Sequence, residues 1–196
     1  MLVLASQSPR RRELLAQAGY VFEVDASAVP EEPRTGEDPS AFVRRLAGEK
    51  AQAVHARRGG QQELIVLGAD TAVVTPQGAV LGKPVDGSDA ASMLRQLSGA
   101  THQVVTGVCL LSGDHVESAV EITYVTMLTL ADEEIAEYIA SGEPMDKAGA
   151  YAIQGRAAKW IPRIHGCYFN VVGLPLALVT SMIEGVIRRM QLEVRA

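Results

Sequence analysis

The chain has 196 residues, 47% hydrophobic and 21% charged, a balance that excludes disorder and a length that allows one α/β domain, of one or two lobes, with a real core. Its net charge of −5 excludes the broad basic surface that sequence-independent nucleic-acid binding needs, so an anionic ligand must be met by a local cluster of cations. The apolar run at Met1-Leu2-Val3-Leu4 is too short for a signal segment, and nothing approaches the ~20 apolar residues of a membrane span. Cys109 and Cys167 match no metal spacing and read as buried thiols, so a cytoplasmic protein is expected.

Leu2 to Ala5 reads as a short buried strand. A helix follows, with Ser8 as N-cap, Pro9 at its first position and Gly19 as terminator. Val21 to Val24 is a second strand, and residues 25–38 form a turn-rich acidic loop. Asp38-Pro39 opens a long helix that closes near Gly59-Gly60. Glu63 to Val74 is a strand, returned by the turn Thr75-Pro76-Gln77-Gly78 to a hairpin partner at Ala79 to Leu81. Ser88 caps a helix ending at Gly99, and Gln103 to Leu111 and Val116 to Leu130 are strands joined by Ser112-Gly113-Asp114-His115. In the later strand Val120, Ile122 and Tyr124 alternate with polar neighbours, which leaves one face wet. Asp132 to Ser141 is a helix stopped by Gly142, and a last helix runs from Pro175 to Met190. Pro162 is out of place in a strand and points to an edge or a bulge. Strands alternating with helices, plus two hairpins, predict an α/β fold with a mixed sheet.

Three places carry chemistry. In Ser6-Gln7-Ser8-Pro9-Arg10-Arg11-Arg12, three arginines crowd a helix N-terminus whose dipole is already positive. Either this is a solvated basic turn, or an anion sits there on free backbone N–H groups. The Walker pattern is absent. Lys50 falls within the apolar stripe Phe42, Val43, Leu46, Ala53, Val54, so it either snorkels or directs its ammonium into a site. Asp70 interrupts the buried run Leu64 to Val74, and a carboxylate there needs a cation, a lysine or strong donors. Gly68 and Ala69 beside it leave room for a ligand, although a purely structural aspartate is the competing reading. Lys83 ends the returning hairpin strand, Glu31 and Glu32 lie in the acidic loop, and Gln154 closes a run of small residues. No covalent nucleophile stands beside a base, so the inventory suits metal-assisted attack of water on phosphate better than acyl transfer.

The same stretches resemble the Maf family of nucleotide pyrophosphatases. The matching segments are Leu4 to Arg11, Arg45 to Ala51, Leu67 to Thr71, Gly82-Lys83-Pro84, Leu97-Ser98-Gly99, Ser141 to Pro144, Lys147 to Tyr151 and Val172 to Pro175, in order over nearly the whole chain. The resemblance implies one domain over residues 1–196, with a mixed twisted sheet and flanking helices. It further implies an elongated two-lobed shape like the inosine triphosphate pyrophosphatases, a central cleft and a homodimer. It implies cleavage of a nucleoside triphosphate between its α and β phosphates with Mg²⁺ or Mn²⁺. Asp70 takes the proton-acceptor position, Lys50 and Lys83 hold phosphates or tune Asp70, and Ser8 and Arg11 bind the triphosphate. A loop glutamate joins Asp70 at the metal. Glu31 and Glu32 are both open, with Glu32 favoured from its distance to Phe42. Arg10, Thr71 and Gln154 resemble the dTTP/UTP type, whereas the type acting on 7-methyl-GTP has Trp and Glu at the first and last of these positions. A cationic base suits an aromatic face and a carboxylate, and a neutral glutamine suits a pyrimidine edge. A nucleotide-binding regulator of septum formation, without turnover, is the competing function.

Overall fold

The structure is a computed structural model and describes residues 1–60 and 63–193. In chain order its regular elements are β1 (Leu2–Leu4), α1 (Pro9–Gln17), β2 (Glu23–Val24), α2 (Pro39–Arg57), β3 (Ile65–Val74), β4 (Val80–Leu81) and α3 (Gly87–Leu97). Then come β5 (Thr101–Ser112), β6 (His115–Thr126), α4 (Asp132–Ala140), β7 (Arg163–His165), α5 (Tyr168–Val172) and α6 (Leu176–Glu193). Seven strands form a mixed sheet in the order β2-β1-β3-β5-β6-β7, with β4 on β3. The expected α/β class with flanking helices is what the chain adopts.

The chain divides into two compact units, one of Met1–Asp70, Thr106–Glu121 and the segment from Gly173, the other of Thr71–Val105 and Ile122–Val172. In the first unit β1 pairs in parallel with both β2 and β3, with Val3 opposite Glu23 and Val66. Its core joins Val3 and Ala5 to Leu64, Val66, Cys109 and Leu111, and α2 supplies Ala47, Ala51 and Val54. Two glycines let α2 lie directly on the strands. A Cβ on Gly68 would stand 2.1 Å from the Ala47 carbonyl oxygen, and one on Gly107 would stand 2.3 Å from that of Val43. Only glycine permits such an approach.

The second unit packs α3 and α4 around Met93, Leu94, Leu97, Ile135, Tyr138 and Trp160. Three short 3₁₀ segments, at Glu143–Asp146, Ala148–Ala150 and Arg156–Trp160, link α4 to β7. Several sequence expectations shift here. Asp86, not Ser88, caps α3, because its carboxylate accepts both the Asp89 amide and the Ser88 hydroxyl. The wet face of β6 carries Ile122 and Tyr124, while Thr123 is fully buried. Thr123 is kept inside by its hydroxyl, which accepts the Cys167 amide and the Asn170 side-chain amide and donates to the Cys167 carbonyl. β6 also stops at Thr126 rather than Leu130, and Val21 is exposed ahead of β2. Pro162 sits just before the edge strand β7 instead of inside it, which agrees with its missing N–H. Cys109 is a buried free thiol and Cys167 a half-buried one. Among the described residues no helix is long and apolar enough to cross a membrane.

Candidate active site

The close seating of α2 on Gly68 has a direct consequence two residues further along β3, where side chains return to the same face. There Lys50 of α2 meets Asp70, its Nζ donating to Asp70 Oδ1 at 2.6 Å. The same ammonium donates to Glu31 Oε1 at 2.5 Å. Lys50 and Asp70 are only 5% and 6% exposed, so Lys50 is an ion-pair partner rather than a snorkelling lysine. Burial pushes the Asp70 carboxyl above its ordinary 3.8, against the opposing charges of Lys50 and Arg11 and with a further upward push from Glu31.

Arg11 is buried beside this pair. Its Nε donates to the Gly173 carbonyl at 2.9 Å, and its Nη1 donates to the Ala69 carbonyl at 2.9 Å and the Ser6 hydroxyl at 3.2 Å. Arg11 thus fixes the backbone immediately before Asp70. Burial lowers its pKa, Asp70 and Glu31 raise it, and a guanidinium stays charged regardless. The expected cradle of free amides at the start of α1 takes another form. Ser8 caps the helix by accepting the Arg11 amide, and the Arg12 amide already bonds the Ser8 carbonyl. Positive charge at this helix end therefore comes from side chains more than from open N–H groups. Arg10 is half-buried there and Arg12 exposed.

Of the two loop glutamates, the structure brings Glu31 to Lys50. Glu32, favoured from the sequence, gives its backbone carbonyl to Arg45 Nη2 at 3.1 Å and leaves its side chain exposed. The difference lies in how α2 holds the loop. Arg45 grips Glu37 with two bonds, at 2.6 and 2.7 Å, and reaches Glu49 on its own helix. That grip holds the Glu37 carboxyl down at about 2. At the other end of the loop Asp25 is bonded by Arg57 and Arg58. Glu31 hangs between these anchors. Neither Ser6 nor the Gly173 carbonyl was assigned a role from the sequence, where nothing signals that Arg11 is buried.

Thr71, Lys83 and Gln154 belong to the second unit. Thr71 is half-buried, while Lys83 and Gln154 are exposed. Lys83 follows Gly82, whose carbonyl accepts the Gly149 amide at 3.0 Å. Gln154 sits on a turn between the second and third 3₁₀ segments.

Among the described residues no group of three His, Cys, Asp or Glu side chains could hold a metal ion. The donors that do converge, Asp70 and Glu31, are hard carboxylate oxygens. That set fits a Mg²⁺-like ion, which takes one or two carboxylates and completes its shell with water and substrate phosphates.

Comparison with known proteins identifies the family. The dTTP/UTP pyrophosphatase of Koribacter versatilis (strain Ellin345) is 54% identical over 184 residues, covering 93% of each chain. That of Geobacter sulfurreducens is 53% identical over 182 residues, covering 92% of this chain and 93% of its own. That of Pelotomaculum thermopropionicum is 50% identical over 185 residues, covering 93% and 95%. A solved Vibrio cholerae protein, at a TM-score of 0.35 and 11% identity over 72% of this chain and 76% of its own, is too distant to bear on fold or function. With the Maf family (Maf-like protein) matched over residues 1–186, the chain belongs to the Maf family.

Proposed function

We propose that this chain hydrolyses dTTP and UTP to the nucleoside monophosphate and pyrophosphate. The observation that carries the reading is a buried carboxylate, Asp70, held by Lys50 beside a buried Arg11. The relatives of about half identity named dTTP/UTP pyrophosphatase support it. Asp70 and Glu31, in place of Glu32, are the residues that would hold Mg²⁺ or Mn²⁺ carried in with the triphosphate. Such an ion acidifies water and neutralises phosphate charge.

The chain's own residues then have separate tasks. As water adds to the α phosphorus and the bond to the β-phosphate oxygen breaks, Asp70 accepts the proton. Lys50 holds the carboxylate in place, and Arg11 and Lys83 offset the charge that grows on departing pyrophosphate. Ser8 and Arg11 lie on the triphosphate, and Arg10, Thr71 and Gln154 select the pyrimidine.

The test is a panel of dTTP, UTP, CTP, GTP and 7-methyl-GTP with Mg²⁺ or Mn²⁺ and then with chelator, pyrophosphate being separated from phosphate. Metal-dependent pyrophosphate from dTTP and UTP is expected, lowered about 10²- to 10⁴-fold in Asp70→Asn. Full turnover by that variant would remove Asp70 from its role. Binding without pyrophosphate would remove the reaction.

A further inference from the structure

The turn that carries Gln154 is held at both ends by side chains that lie outside it. Before the turn, the Ala152 amide donates to the Tyr138 hydroxyl at 3.3 Å. After it, the Arg156 amide donates to Glu143 Oε1 at 3.0 Å. The two anchors are themselves joined, for the Tyr138 hydroxyl donates to the same Glu143 Oε1 at 2.9 Å. Between them Gly155 passes so close that a Cβ would stand 1.9 Å from Oε1, so no other residue fits without moving the carboxylate. The Gly155 amide closes the turn on the Ala152 carbonyl at 3.1 Å.

The clamp is rigid at its base. Tyr138 is buried, with its ring edge-on to Trp160 at a centroid distance of 5.1 Å, and the Trp160 indole N–H is taken by Glu134. Burial and the bond to Glu143 raise the Tyr138 pKa well above its ordinary value, so the hydroxyl keeps its proton and remains a donor. Lys147 Nζ donates to the Glu143 carbonyl at 2.7 Å and fixes the backbone beneath the carboxylate. Gln154 itself is exposed. An exposed glutamine on a loose turn would read a base edge poorly, because ordering it on binding would cost much of what its hydrogen bonds return. Two clamped amides, one on each side, remove the backbone share of that cost in advance.

We infer that Glu143 and Tyr138 are positioning residues which set base selectivity by fixing the Gln154 turn. The inference rests on the reading of Gln154 as the residue that meets the base. Because the bonds from Tyr138 and Arg156 both reach Oε1, a glutamine carbonyl at this position can accept both, whereas alanine accepts neither.

The experiment measures kcat and KM for UTP and GTP with Mg²⁺ in Glu143→Ala, Glu143→Gln, Tyr138→Phe, Gln154→Ala and the double variant E143A/Q154A. In Glu143→Ala the preference for UTP over GTP falls about tenfold through KM, with kcat on saturating UTP little changed. Glu143→Gln restores most of that preference, and Tyr138→Phe, which keeps the buried ring, loses part of it. In the Gln154→Ala background the change at Glu143 has no further effect on preference. Equal losses on UTP and GTP, or losses that add to those of Gln154→Ala, would overturn the positioning role while leaving Gln154 in place. A Gln154→Ala enzyme with its preference intact would overturn the base-reading assignment and the inference with it.

Discussion

Substituting Gly68 by alanine tests the seating of α2 on β3. A Cβ there would lie 2.1 Å from the Ala47 carbonyl oxygen and 2.9 Å from the Ala51 amide nitrogen, both backbone atoms of α2. Real Cβ contacts stay above 3.0 Å, so the helix must retreat by about 0.9 Å at Ala47. No flexible side chain is available to give way. Overpacking of this kind costs about 3 kcal/mol at the upper end of its range. In a domain of this size each kcal/mol lowers the melting temperature by about 2–4 °C, so a fall of about 6–12 °C is expected. Ala47 and Ala51 flank Lys50 on the helix, so the same retreat draws its ammonium away from Asp70, now 2.6 Å distant. A misplacement of about 1 Å can cost 10²-fold in rate, so turnover at saturating UTP falls along with stability. Melting followed by circular dichroism, with pyrophosphate release measured well below the transition, reads both effects. A variant that melts within a degree of the parent and keeps its rate would refute the tight packing.

Arg45→Ala frees the loop that presents Glu31 but leaves Lys50 and Asp70 in place. Pyrophosphate assays are expected to show kcat/KM lower by about 10- to 100-fold, while calorimetry shows a fall of a few degrees, because the half-buried Arg45 loses its bonds to Glu37 and Glu49. A normal rate would detach loop placement from function. In Lys50→Met the leading charge that opposes burial at Asp70 is gone. In the metal-free protein the carboxyl then protonates more readily, and its titration followed by NMR moves to higher pH; an unmoved titration would refute the coupling of Lys50 to Asp70. His102 is buried against the Tyr151 hydroxyl, and burial lowers its pKa from 6.5 to about 4. A folded pKa below the unfolded one means stability is complete above pH 6.5 and is lost as pH falls from there toward 4, by about 3 kcal/mol in all. Urea titrations across that range should show the loss in the parent and a shallower one in His102→Gln; equal slopes would place the acid sensitivity elsewhere.

The sequence made the centre of the site legible because burial and charge conflicted there. A lysine within an apolar helical stripe and an aspartate within an apolar strand each needed a partner, and Lys50 and Asp70 are partners in an ion pair. Secondary structure was legible wherever periodicity ran long, as in α2 and β3. It failed where elements were too short to show a period, as in the three-residue β7, the five-residue α5 and the 3₁₀ segments. It also failed where one hydroxyl or carboxylate outweighed a pattern. Thr123 is inside because its hydroxyl serves three bonds, and Asp86 displaced Ser88 because a carboxylate accepts two donors at once.

The choice between Glu31 and Glu32 shows why loops resist this kind of reading. Their side chains are identical and adjacent, and no period applies to the segment, so distance along the chain to Phe42 had to stand in for geometry. What decides which of them meets Lys50 lies on α2. Arg45 takes the Glu32 carbonyl and the Glu37 carboxylate, and Arg57 and Arg58 take Asp25, so the helix sets the path of the loop from both ends. Lys50, between those arginines on the same helix, then receives the glutamate that this path delivers. α2 therefore supplies the ammonium and also places one of the two carboxylates around it. The position of α2 depends in turn on the missing side chains of Gly68 and Gly107. A glycine outside the reacting groups therefore also governs the site, since a shift of α2 moves Lys50 and Glu31 together while Asp70 stays fixed on β3.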